Sequence, residues 1–203
     1  MMEFADWVVR VRFPDRPWLI LGKGPSIDRL GSLRMEEYNI LSMNHVIQAV
    51  PHVEIAHFID IEAFSACQLY VVAKAEWLIM PTRPHVNSTI GPPIKDHFDG
   101  NPGLELVEGE RRLVTYIKEP RQPEYKSPYA IAVRYFSFEA ALCILGELGV
   151  RDVKTLGVDG GTAYGTAFSS LTPLENGRKS FDIQFEAARE IAAYYKLSFE
   201  RIK

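Results

Sequence analysis

The chain has 203 residues, 47% hydrophobic and 24% charged, which is material for one buried core and excludes disordered, collagenous and coiled-coil readings. Its 23 Lys and Arg against 26 Asp and Glu leave a formal net charge of -3, so nucleic acid is not an expected partner and any anionic ligand must be gripped locally. Two cysteines, Cys67 and Cys143, are too few for a disulfide framework or a zinc site, and no window approaches the roughly 18 apolar residues of a membrane span, so a cytoplasmic protein is expected.

Trp7 to Phe13 (WVVRVRF) alternates apolar and charged residues, which predicts an edge strand. Trp18 to Leu21 (WLIL) is apolar throughout, as in a parallel strand covered on both faces, and ends at Gly22. Pro25 suits a first helical position, after which Ile27, Leu30 and Leu33 share a face. Asn39 to Met43, Glu54 to Ile59 and Trp77 to Met80 read as three more strands. From Pro81 to Pro128 prolines and glycines surround one expected hairpin, LELVEGERRLVTYI, and residues 85–128 read as an insertion or lid. Phe136 to Leu148 reads as a helix stopped at Gly149, and Val153 to Val158 as a buried strand that delivers Asp159 into a glycine-rich loop. Ser180 to Tyr195 has helical period, and Leu197 to Ile202 reads as a last strand. Strands alternating with helices predict an α/β fold, a mostly parallel sheet with helices on both faces, in a single domain over residues 1–203.

In open parallel sheets ligands lie beyond the carboxyl ends of the strands, and four clusters stand there. In Gly22-Lys23-Gly24-Pro25-Ser26 the glycines permit a tight turn and close backbone approach, and the helix start offers N–H donors to a phosphate. The competing reading is a turn needed only for strand-to-helix geometry. The dinucleotide fingerprint is not met, because Ile27 and Asp28 occupy the region of its third glycine. Asn44 stands where an NAD enzyme would place an acid; it suits a ribose, base or phosphate, or a helix cap. Asp60-Ile61-Glu62 has the groups to hold Mg²⁺ but is also an ordinary helix cap, the reading we favour. Arg134-Tyr135-Phe136-Ser137 opens the long helix, where Arg134 can neutralise an anion and Ser137 can cap the helix or offer its hydroxyl. Asp159 leaves its strand beside Gly160 and Gly161, a loop that admits a ligand closely. The five histidines, His45, His52, His57, His85 and His97, show neither HxH nor HExxH spacing, and no GxSxG elbow occurs, which removes zinc and serine hydrolase readings.

The segments LGKGPSID, SMNH and RYFSFEAALCILGELGVRDVKTLGVDGG, in that order, resemble the bacterial sialyltransferases of glycosyltransferase family 42. They are equally similar to a wider Rossmann-like group that includes the DUF115 proteins and the archaeal 6-hydroxymethylpterin diphosphokinases. The resemblance implies a Rossmann-like nucleotide-binding domain in which Gly22, Gly24, Pro25 and Ser26 hold phosphate and ribose and Asn44 and Ser137 complete the site; apart from the resemblance, Lys23 in the glycine turn adds local charge for an anion. It further implies Asp159 near the base or ribose and Arg134 near the reacting groups. Tyr164 is similar to a tyrosine that supports the departing CMP phosphate. Two departures are plain: Gly160 and Gly161 stand where the sialyltransferases have a second tyrosine, and no histidine follows His97 to match their general base. Asp182, Glu175, His85 or His97 are the candidates to replace it.

The expected function is a nucleotide-sugar-dependent glycosyltransferase with a CMP-activated donor and no required metal. The alternatives are a diphosphokinase of the pterin type, with Mg²⁺ on Asp60, Glu62 and Asp159, and a nucleotide-binding protein without catalysis. A chain this short leaves the acceptor side small, open or completed by a second subunit of a homo-oligomer.

Overall fold

The structure is a computed structural model that describes residues 1–85, 91–120, 123–125, 127, 130–174 and 177–202. In chain order its strands are β1 (Met2–Glu3), β2 (Trp18–Leu21), β3 (Asn39–Met43), β4 (Val53–His57), β5 (Ala75–Pro81), β6 (Leu113–Glu119), β7 (Ala130–Ala132), β8 (Asp152–Leu156) and β9 (Ser198–Arg201). The helices are α1 (Phe4–Arg10), α2 (Ile61–Lys74), α3 (Pro102–Gly109), α4 (Ser137–Glu147) and α5 (Gln184–Tyr195). The strands lie in the order β1-β6-β5-β4-β3-β2-β8-β9, with β7 also on β6, and every pairing is parallel. This is the α/β fold expected.

From β2 the chain steps outward through β3, β4, β5 and β6, on whose outer side the first strand, β1, already lies, and then returns to the other side of β2 as β8. Strand order therefore reverses at β2, and such a reversal opens a crevice at the strands' carboxyl ends. Alternation along the strands fills two cores. Ile20, Leu41, Ile55 and Val114 face α1, α4 and α5, whereas Leu19, Ile40, Ala56 and Leu78 face α2, α3 and a 3₁₀ helix at Pro25–Ser32. Helix α4 is buried from Phe138 through Gly146, as its nearly unbroken apolar sequence requires.

Three expectations change. The predicted edge strand at Trp7–Phe13 is instead helix α1, because Phe4, Trp7, Val8 and Val11 repeat at helical spacing and all meet the core while Val9 is 67% exposed. The predicted helix after Pro25 forms, but as 3₁₀, with Ile27 buried and Leu30 and Leu33 partly so. The predicted hairpin is helix α3 followed by β6, parallel to β5, so residues 102–119 belong to the sheet's own alternation and not to an insertion. Pro102 starts that helix, and Gly103 sits against Gln68 of α2, where a Cβ would lie 2.9 Å from its Cβ. The two- and three-residue strands β1 and β7 were not anticipated, since segments so short carry no periodicity.

Candidate functional site

The carboxyl ends of β2 and β8 are joined backbone to backbone. The Gly22 N–H donates to the Leu156 carbonyl at 2.8 Å and the Gly24 N–H to the Gly157 carbonyl at 2.7 Å. A Cβ on Gly22 would lie 2.3 Å from the Gly157 oxygen, and one on Gly157, whose φ is +73°, would lie 1.9 Å from the Gly22 oxygen. Two of the sequence's glycines are thus required by the contact between the two turns. Ser26 closes the seam: its Oγ accepts from the Gly157 N–H at 2.7 Å, and its own N–H donates to Asp159 Oδ2 at 2.7 Å. Arg201 of β9 holds the other Asp159 oxygen at 2.9 Å. Asp159 is consequently a brace between β2, β8 and β9, with both oxygens engaged.

Above this floor lies a cleft of about 590 Å³ at the carboxyl ends of β2, β3, β4 and β8 and the start of α4. It is lined by Gly22, Lys23, Gly24, Asn44, Ser137, Asp159 and Tyr164, seven of the residues singled out in the sequence. Pro25 and Ser26 fall instead in a shallow groove on the far side of Asp159, beside Arg201. Lys23 Nζ stands 4.3 Å above the Tyr164 ring, which stacks on Phe181 with centroids 5.5 Å apart. The Asn44 amide reaches Ser137 Oγ at 3.3 Å, and its buried Oδ1 has no partner among the described residues. Together Lys23, the Asn44–Ser137 pair and the N-terminus of α4 supply the donors and charge that an anion needs.

Asn44 has φ +53°, the left-handed region that asparagine tolerates better than most residues. An extended strand turns successive side chains to opposite faces, and this backbone reversal breaks the alternation, so Asn44 and His45 both line the cleft. The sequence names His45 among five histidines without metal-ligand spacing and gives it no role in the site; an asparagine at a strand end followed by a histidine is the signal for one. Burial and then the neighbouring Lys23 hold the His45 ring below the usual 6.5.

Arg134 does not line the cleft. Its guanidinium is 2.5 Å from Glu190 of α5, which takes it from the position beside the reacting groups that the resemblance implied. Its backbone N–H, with those of Tyr135 and Phe136, donates to the fully buried Glu139 carboxylate at 2.5–3.0 Å. Glu139 thereby ties down the loop that presents Tyr135, Phe136 and Ser137 to the cleft. Burial lifts its carboxyl to about 7, against the pull of those three N–H groups and of Arg134.

Asp60 caps α2, accepting from the Ala63 N–H at 2.8 Å, and both it and Glu62 line the cleft. Burial raises the Asp60 carboxyl, and Glu62 adds to this while the cap and Lys23 oppose it. As a Mg²⁺ set these residues fit poorly: Asp60 is engaged by the helix, Asp159 by Ser26 and Arg201, and the three do not converge among the described residues. The group that does converge is His52, Glu54 and Glu76, with donor atoms within 4.8 Å of one another at the opposite ends of β4 and β5. Of the candidates for a missing base, His85 lines the cleft, whereas His97 and Asp182 do not, and Asp182 is bonded to Ser180 and the Gly161 N–H. Glu175 lies outside the described residues.

No protein-family profile and no curated protein matches the chain. Among solved structures it is similar to a mutant of the alpha-2,3/8-sialyltransferase CstII, at 11% identity and TM-score 0.53 over 92% of this chain and 81% of that one. It is likewise similar to CstII from Campylobacter jejuni in complex with a substrate analogue, CMP-3FNeuAc, at 12% identity and TM-score 0.50 over 92% and 80%. What is shared is the fold. The class so defined is an α/β protein whose parallel-sheet architecture is shared with CstII.

Proposed function

We propose that the protein is a glycosyltransferase that uses a nucleotide-activated sugar, with a CMP-activated donor as the first choice. The observation that carries this reading is the cleft at the β2–β8 reversal, where Lys23, Tyr164 and the Asn44–Ser137 pair gather over a glycine seam. It is supported by the shared fold and by one neighbour's having been solved with a CMP-sugar analogue. In this reading the nucleotide phosphate lies over Gly22 to Gly24 and the start of α4. As the glycosidic bond to phosphate breaks, charge builds on the phosphate, and Lys23 and the Tyr164 hydroxyl meet it.

Calorimetric titration with CMP, CDP and ATP, each with and without Mg²⁺, tests the donor. The expected outcome is CMP binding below millimolar that does not need Mg²⁺; failure of CMP and CDP to bind overturns the assignment. The second reading, a diphosphokinase, has Asp60 and Glu62 in the cleft in its favour, and ATP binding that depends on Mg²⁺ would select it.

A further inference from the structure

We propose that His45 is the general base that takes the proton from the attacking hydroxyl. This rests on the glycosyltransferase reading above. Such a base must line the cleft, be uncharged near neutral pH and keep a nitrogen open to the acceptor. No histidine follows His97, so an imidazole has to come from the first half of the chain. The left-handed backbone at Asn44 supplies it, by turning the next residue into the cleft beside the amide that meets Ser137.

The ring's own setting agrees. His45 is partly buried, and its Nδ1 is shielded from solvent without a partner among the described residues, which leaves Nε2 as the nitrogen a hydroxyl can reach. The other titratable groups that line the cleft with it are Lys23 at the β2 turn, Asp60 and Glu62 at the start of α2, His85 beyond β5 and Asp159 at the end of β8, and of these Lys23 acts on the ring. Burial and then Lys23 lower the ring's pKa, which favours its neutral form at pH 7. Asp60, a carboxylate in the same cleft, already spends an oxygen on the α2 cap.

The step balances as follows. The bond between the sugar's anomeric carbon and the phosphate oxygen breaks, and its electron pair leaves with CMP. The acceptor oxygen forms the new bond to that carbon, and its proton passes to His45 Nε2. Lys23, which lowers the basicity of the ring, then favours release of that proton to solvent and resets the base.

Release of CMP from CMP-sialic acid in water, where water is the acceptor, tests the assignment without knowledge of the natural acceptor. The wild type is expected to show an acid limb in kcat with a midpoint below 6.5. H45Q is expected to lose about 10²–10⁴-fold in kcat and to lose the limb, with KM and CMP affinity within roughly threefold of wild type. Added imidazole should restore part of the rate to H45G. If H45Q binds CMP yet keeps its rate or its acid limb, the base lies elsewhere and the assignment falls, while the glycosyltransferase reading stands. If the wild type neither binds CMP nor releases it, the underlying reading falls instead. Should H45Q fail to fold, titration of the wild-type ring by NMR decides: a ring unmoved by CMP, or one that titrates at or above 6.5, overturns the proposal.

Discussion

Gly157 and Gly149 have nearly the same backbone, φ +73° and +79°, in very different surroundings. A Cβ at Gly157 would strike the Gly22 carbonyl, whereas one at Gly149 meets nothing within 4 Å. Gly149→Ala should therefore cost about 1 kcal/mol of backbone strain alone. Gly157→Ala adds a collision that only separation of β2 from β8 relieves, and should cost roughly 3 kcal/mol or more. Urea midpoints of the two variants check the contrast. Glu139 gives a pH signature. Its carboxyl titrates near 7 in the folded chain against 4.5 as its ordinary value, so the unfolded chain ionises first as pH rises. The stability tied to its protonated form is present below about 4.5 and lost as pH passes through 7, up to roughly 3 kcal/mol. Glu139→Gln should flatten the dependence of the urea midpoint between pH 5 and 7.5. At Tyr164, replacement by Phe keeps the stack on Phe181 and the ring under Lys23, so CMP release should slow while CMP affinity holds within a few-fold.

At the scale of elements, strands β2, β3, β4, β5 and β8 and helices α4 and α5 were legible because each carries its own apolar run or period. Helix α1 was misread because the window began at Trp7 and left out Phe4, the residue that completes the helical repeat. Helix α3 was misread because the Glu-Gly-Glu after Val107 resembles a hairpin turn, and only its contact with α2 distinguishes the two. The same division applies to the site. Six cleft residues, Gly22, Lys23, Gly24, Asn44, Ser137 and Asp159, were legible because they sit at strand or helix ends, whereas Tyr164 came from the resemblance alone. Arg134 was misplaced because its partner, Glu190, lies 56 residues away. The α2 cap can be separated from any role of Asp60 in the cleft. Asp60→Ala should cost about 1 kcal/mol and Asp60→Ser should recover most of it, as read by thermal unfolding.

For the whole molecule, a parallel sheet covered on both faces explains why its strands are apolar runs and why polar groups concentrate at their ends. No helix among the described residues is long and apolar enough to cross a membrane. With a formal charge of -3, the protein offers an anion little long-range attraction, so under the proposed function CMP binding should weaken only modestly with added salt. A steep dependence between 50 and 500 mM NaCl, measured by calorimetry, would contradict a grip confined to Lys23 and backbone donors.

The seam between β2 and β8 also fixes when, during synthesis, a binding site can first exist. Trp18 pairs with Asn39 on one side and with Val153 on the other. A chain leaving the ribosome must expose about three quarters of its length before the second pairing can form. Until then β2 presents an open edge on that side, and the cleft has no floor. A ligand in the cleft can stabilise only the finished fold.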